Sequence, residues 1–75
     1  MESIYLQNKE MVEACADKLC RRFHCEQLRE DLISEGTLAV LTYADRYNPG
    51  SEATLSTFLY PYIIGAMKRE LENSL

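Results

Sequence analysis

The sequence has no tryptophan, only three glycines and two prolines, and no apolar run near the ~20 residues that a membrane-crossing helix needs. So little glycine and proline excludes a loop-built scaffold and argues against an all-β one, whose many tight turns draw on those residues. The opening Met1-Glu2-Ser3-Ile4 lacks the basic and apolar stretches of a signal peptide. We therefore expect no membrane association and a cytoplasmic chain. Cysteine occurs three times, at Cys15, Cys20 and Cys25, an odd number without a dense bridging framework, and this pattern reads as reduced thiols.

What is present bounds the answer further. Seventy-five residues make one small domain, spanning residues 1–75, which buries only about 60% of its unfolded surface and leaves no interior for a deep enzyme pocket. A content of 47% hydrophobic and 27% charged residues is that of a folded globular chain and not of a disordered one. Twelve acidic against eight basic residues give a net charge of −4, which excludes a general nucleic-acid binder held by its overall field.

Periodicity predicts three helices. Val12, Cys15, Ala16, Leu19 and Phe23 recur at three- and four-residue steps, which marks an amphipathic helix over residues 8–23. Asn8 is the expected N-cap, Glu10 lies in the first turn, and Lys18, Arg21 and Arg22 lie toward the far end, in keeping with the helix dipole. Cys25-Glu26-Gln27 interrupts the pattern. A second helix is expected over residues 28–47 on Ile33, Val40, Ala44 and Tyr47, with a second apolar stripe at Leu38 and Leu41 pointing elsewhere. Asn48-Pro49-Gly50-Ser51 is the clearest turn in the chain. The third helix follows with Ser56 as expected N-cap and Leu59, Ile63, Ala66, Met67 and Leu71 as its apolar face; Pro61 lies inside it and should bend it without ending it. The expected fold is all-α, a small three- to four-helix bundle. Gly36 and Gly65 fall within helices, where glycine costs about 1 kcal/mol, so each is expected at a close approach of a neighbouring helix or partner.

Cysteine and histidine do not form a metal site on spacing. Cys20 and Cys25 lie about 140° apart round a continuous helix and face one point only if the helix ends between them. With no nucleophile elbow, glycine-rich phosphate loop or metal triad, we expect no catalytic residues, no cofactor and no metal.

One string goes further than patterning. Asp31-Leu32-Ile33-Ser34-Glu35-Gly36-Thr37-Leu38, then Ala44-Asp45-Arg46-Tyr47-Asn48-Pro49, then Leu55-Ser56-Thr57-Phe58, then Tyr60-Pro61-Tyr62-Ile63-Ile64-Gly65-Ala66-Met67-Lys68-Arg69-Glu70-Leu71 resembles region two of bacterial RNA polymerase sigma factors. That family reads roughly D-L-I-Q-E-G, A-V-D-R-F-D-P, F-S-T-Y-A and then I-x-G-A-I-x-R. The resemblance covers over half the chain directly, and the 8–23 helix, ending Arg21-Arg22-Phe23, is similar to the first helix of that region. This chain departs from the pattern at Ser34 and Thr37, which stand where the family has glutamine and commonly asparagine. It departs again at Pro61 and Tyr62, which replace the paired tryptophans of housekeeping members, and at Ala53, which replaces an aromatic. The Tyr60-Pro61-Tyr62-Ile63-Ile64-Gly65 form looks closer to alternative sigma factors of the stress and sporulation type.

The resemblance implies a transcription initiation factor. Asp31, Leu32, Glu35, Thr37, Leu38 and Leu41 would contact a coiled coil of the polymerase β′ subunit, with the leucines supplying affinity and the carboxylates register. Phe58, Tyr60 and Tyr62 would present rings to unstacked promoter bases near the minus-ten element, while Lys68 and Arg69, with Arg46 as a weaker candidate, would hold phosphate. Read on helical spacing alone, at least one of Phe58 and Tyr62 is expected in the core and Tyr60 on the outside. The sequence holds no helix-turn-helix, so the implied reading is a region two that is either free-standing or cut from a longer chain. Its partners would be core polymerase, promoter DNA, and a second sigma-like or helix-turn-helix chain for upstream recognition. The alternative implied is a polymerase-binding adapter without DNA-melting activity.

Overall fold

The computed structural model describes the backbone of residues 4–74 and the side chains of residues 8–74. Three long helices account for most of it: α1 (Ile4–Phe23), α2 (Arg29–Tyr43) and α3 (Leu55–Ser74), with single 3₁₀ turns at Glu26–Leu28 and Ala44–Arg46. The all-α bundle expected from periodicity is the fold observed. α2 lies between the other two, packed most extensively on α3, then on α1, while α1 and α3 touch only slightly. The molecule measures 39 × 22 × 17 Å.

The core is one cluster. Val12, Cys15, Ala16, Leu19 and Cys20 come from α1, Leu32, Ala39 and Val40 from α2, and Leu59, Ile63, Met67 and Leu71 from α3, with Cys25 closing the α1–α2 corner. The α1 and α3 sets follow the predicted helical spacing, except that Phe23 is exposed, whereas in α2 the expected stripe of Ile33, Val40, Ala44 and Tyr47 gives way to Leu32, Gly36, Ala39 and Val40, with only Val40 in common. A fully buried leucine such as Leu32 or Leu59 contributes roughly 1.5–3 kcal/mol relative to an exposed one. Gly36 sits where all three helices meet. A Cβ there would stand 2.6 Å from Met67 Cε, 3.0 Å from Val12 Cγ1 and 3.4 Å from Ile63 Cγ2, so its place in mid-helix is explained by close approach. Gly65 is the opposite case: among the described residues nothing lies within 4 Å of its would-be Cβ, so no neighbouring helix of those residues makes the expected approach.

Several helix boundaries differ from expectation. Asn8 is not an N-cap, because α1 already runs from Ile4; its side chain is buried and accepts a hydrogen bond from Ser56 Oγ at 3.0 Å, tying α1 to α3. Ser56 is accordingly not the cap of α3. Thr54 is, since its Oγ1 accepts from the Thr57 amide at 3.1 Å while its carbonyl takes the first helical bond from Phe58 at 2.9 Å. α2 ends at Tyr43, not Tyr47, and its inner stripe is Leu32, Gly36, Ala39 and Val40. Pro61 has no amide hydrogen and cannot bond the Thr57 carbonyl, yet α3 continues through it to Ser74.

The connections are closed locally. The Asn48 carbonyl accepts from Ser51 N and its Oδ1 from Gly50 N, forming the predicted turn, and the Tyr47 hydroxyl donates to the Ala53 carbonyl across the loop at 2.6 Å. Across the α1–α2 edge, Arg29 Nε donates to Asp17 Oδ1 at 2.6 Å, and this guanidinium holds the Asp17 carboxyl below the usual carboxylate range. Among the described residues every buried side-chain polar atom has a partner.

Candidate interaction faces

Because Leu32, Gly36, Ala39 and Val40 take the inner side of α2, with Ile33 and Tyr43 packed at its margins, the opposite side of the helix faces outward. Leu38 and Leu41 are 57% and 61% exposed, Asp31 is exposed, and Glu35 is half-buried at the edge. Large leucines left this open beside carboxylates are the kind of surface a partner covers. Of the six residues expected on this face, Leu32 is a correction: it is fully buried and supports the face from beneath without reaching it. Thr37 is half-buried and spends its hydroxyl on the Ile33 carbonyl at 2.8 Å, the local bond that a shortened side chain makes within its own helix.

Beside this face, α2 and α3 enclose a groove of about 260 Å³ lined by Glu35, Leu38, Tyr43, Arg69, Glu70 and Asn73 among others. Arg69 therefore lies on the α2 side of α3. Lys68, one residue earlier and about 100° round the helix, lines a different, mostly apolar hollow with Phe23, Leu71 and Glu72. The two cations expected to act together on phosphate are thus directed to different sides of α3.

The aromatic residues divide in the same way. Tyr43 and Tyr62 stack with centroids 4.2 Å apart and planes 17° from parallel, Phe58 tilts against Tyr62 at 5.4 Å, and Tyr47 tilts against Phe58 at 5.7 Å. Arg46 covers the outer face of this cluster, 5.0 Å from the Tyr43 centroid. Neither Phe58 nor Tyr62 is a core residue as expected of at least one of them: Phe58 is half-buried against the core and Tyr62 remains on the surface. Tyr60 stands apart. It is 40% exposed and forms, with Met11, Ser56 and Thr57, the wall of a separate hollow of about 370 Å³. Sequence reasoning missed the Tyr43–Tyr47 contribution to the cluster and the Met11 floor under Tyr60; the four-residue spacing of Tyr43 and Tyr47 was the available signal.

Among the described residues no group of three His, Cys, Asp or Glu side chains could hold a metal ion, and no helix is long and apolar enough to cross a membrane. The three cysteines are free and buried.

Neither a curated protein nor a solved structure matches the chain. A family does: the profile of Sigma-70 region 2 matches residues 4–74, almost the whole length, over the same helices that carry the exposed leucines and the aromatic cluster. The chain belongs to the Sigma-70 region 2 family.

Proposed function

We propose that this protein acts in bacterial transcription initiation by docking the outer face of α2 on the β′ coiled coil of RNA polymerase and offering α3 to promoter DNA near the minus-ten element. Family membership supports a sigma-factor-like role, and the observation that carries the docking half is the exposure of Leu38 and Leu41 beside Asp31 and Glu35. Exposed leucines supply affinity once desolvated against a partner helix, and carboxylates fix register against its basic side chains. Thr37 contributes at the edge of that contact. Residues 4–74 act as a region-two domain in the cytoplasm, with upstream recognition supplied from outside them.

Purified protein should co-elute with core polymerase, and Leu38→Asp combined with Glu35→Arg should abolish co-elution while leaving the helical circular dichroism intact. Failure of the unaltered chain to bind at low salt would overturn the reading.

The DNA half rests on the aromatic residues, and here a second reading has an observation in its favour. Tyr62 is already stacked on Tyr43 and Phe58 is half-buried, so of these three rings Tyr60 has the most free surface. One base on one ring contributes on the order of 1–3 kcal/mol, while extruding a base costs a few. An adapter that binds polymerase and leaves melting to another chain follows from that balance. A forked promoter bearing an exposed single strand separates the two: capture by the polymerase complex that falls about 5- to 150-fold in Tyr60→Ala supports DNA engagement. Unchanged capture supports the adapter. Lys68 and Arg69 can be separated in the same assay, since only a phosphate contact steepens the salt dependence.

A further inference from the structure

α1 ends between two cysteines. Cys20 lies in its last full turn, His24 turns the chain with a left-handed φ of 54°, and the Cys25 amide donates to the Cys20 carbonyl at 3.1 Å. That bond, from the second residue past the cap back to the third before it, is a Schellman closure, which brings the side chains at its two ends together. The 140° that would part Cys20 and Cys25 on a continuous helix is thereby removed. Both are sealed, at 2% and 1% exposure. Burial pushes the Cys20 thiol up, and the neighbouring Cys25 pushes it further. Cys15 is different: burial raises it and Lys18 lowers it, with neither other thiol acting on it.

We propose that Cys20 and Cys25 form a reversible intrachain disulfide that staples the end of α1 to the connection into α2, made by exchange with an oxidised low-molecular-weight thiol. One cysteine, as thiolate, attacks the small disulfide and releases one small thiol, giving a mixed disulfide; the second cysteine, losing its proton, attacks that sulfur and expels the second small thiol. Two protein thiols are oxidised to one disulfide and one small disulfide is reduced to two thiols, so electrons and protons balance.

Two features of the corner govern this chemistry. Reaction requires the corner to open, because the thiolate and not the buried thiol is the nucleophile. The corner is built for local opening, being a one-turn 3₁₀ segment entered through a left-handed non-glycine residue. Equilibrium is a separate matter from rate. A fold that holds two sulfurs together favours their bond by the same factor by which the bond favours the fold.

The test uses the whole chain in glutathione redox buffers, native and in concentrated urea, quenched by alkylation. Trypsin cuts at Arg21 and Arg22, between the two cysteines, so the bond joins the peptides of residues 19–21 and 23–29, while Cys15 travels separately in residues 10–18. The expected result is a species lighter by two hydrogens with that linked pair, an alkylated Cys15, and an equilibrium constant for closure about tenfold or more above that in urea. The oxidised form should also unfold at higher urea concentration than the reduced form. A constant no greater than in urea, or Cys15 sharing in the bond, would overturn the proposal.

Discussion

The two helical glycines sit in opposite surroundings. Gly36, on the inner side of α2, has side chains from α1 and α3 so close that a single added carbon would stand 2.6 Å from Met67. Gly65, on the outer side of α3, has open space around it. The same residue therefore lets two helices approach in one place and, in the other, only costs the helix about 1 kcal/mol relative to alanine. The difference separates what the fold requires from what the fold merely tolerates. A tolerated cost on an outward face is also where an external surface has room to come near the backbone.

The contrast can be broken most forcefully at Gly36. A leucine there has nowhere to go, and Gly36→Leu should cost about 3 kcal/mol or more. That is a large share of the roughly 4–11 kcal/mol expected for a chain of this size, so the variant should be largely unfolded or have a urea midpoint far below the parent. Gly36→Ala sharpens the point. Met67 Cε is the end of a flexible side chain and can yield, but Val12 at 3.0 Å is β-branched and stiff, so crowding should outweigh the gain in helix propensity by about 1 kcal/mol. An alanine variant more stable than the parent would mean that the crossing is looser than these distances.

Gly65→Ala should move the other way, gaining about 1 kcal/mol and raising the melting temperature by about 4–8 °C. A loss of stability would show that the outer face of α3 is covered. The same protein carries a functional readout: if it is more stable yet held less tightly by the polymerase–promoter complex, the glycine serves an approaching partner.

Much of this contrast was legible in the sequence. Three helices, the Asn48–Ser51 turn, the apolar face of α3 and the mid-helix glycines all follow from periodicity and local backbone preference, which act over a few residues. What was missed depends on contacts between distant residues. Asn8 has the chemistry of an N-cap, but its side chain is claimed by Ser56, 48 positions away, and that pairing also removes Ser56 from its expected capping role. Leu32 belongs to the buried i, i+4, i+7 stripe with Gly36 and Ala39; reading it as part of a contact motif obscured a spacing that was already there. Lys68 and Arg69 are adjacent in sequence, and helical rotation alone would have separated them. The end of α1 at Phe23, between Cys20 and Cys25, was legible, but the left-handed His24 that turns the chain there gives little sign in the sequence.

The smallest expected effect lies between the packed and open sides, at the Asp17–Arg29 pair that bridges α1 and α2 while both side chains remain partly exposed. The hydrogen bond from Arg29 and its charge depress the Asp17 pKa in the folded state below its unfolded value, near 3.9. A depressed carboxyl favours the fold while it is ionised, so its contribution is fully present above the unfolded pKa and is lost as pH falls through the folded one. Urea midpoints measured from neutral pH downward should therefore fall faster below about pH 4 in the parent than in Asp17→Asn, with the two curves converging at the acid end. Water and salt reach both side chains, so the separation should be modest and should shrink further as ionic strength rises. Parallel curves would assign the pair to the open side with Gly65, as a contact present in the structure that does not hold α1 to α2. A clear separation would assign it to the packed side with Gly36.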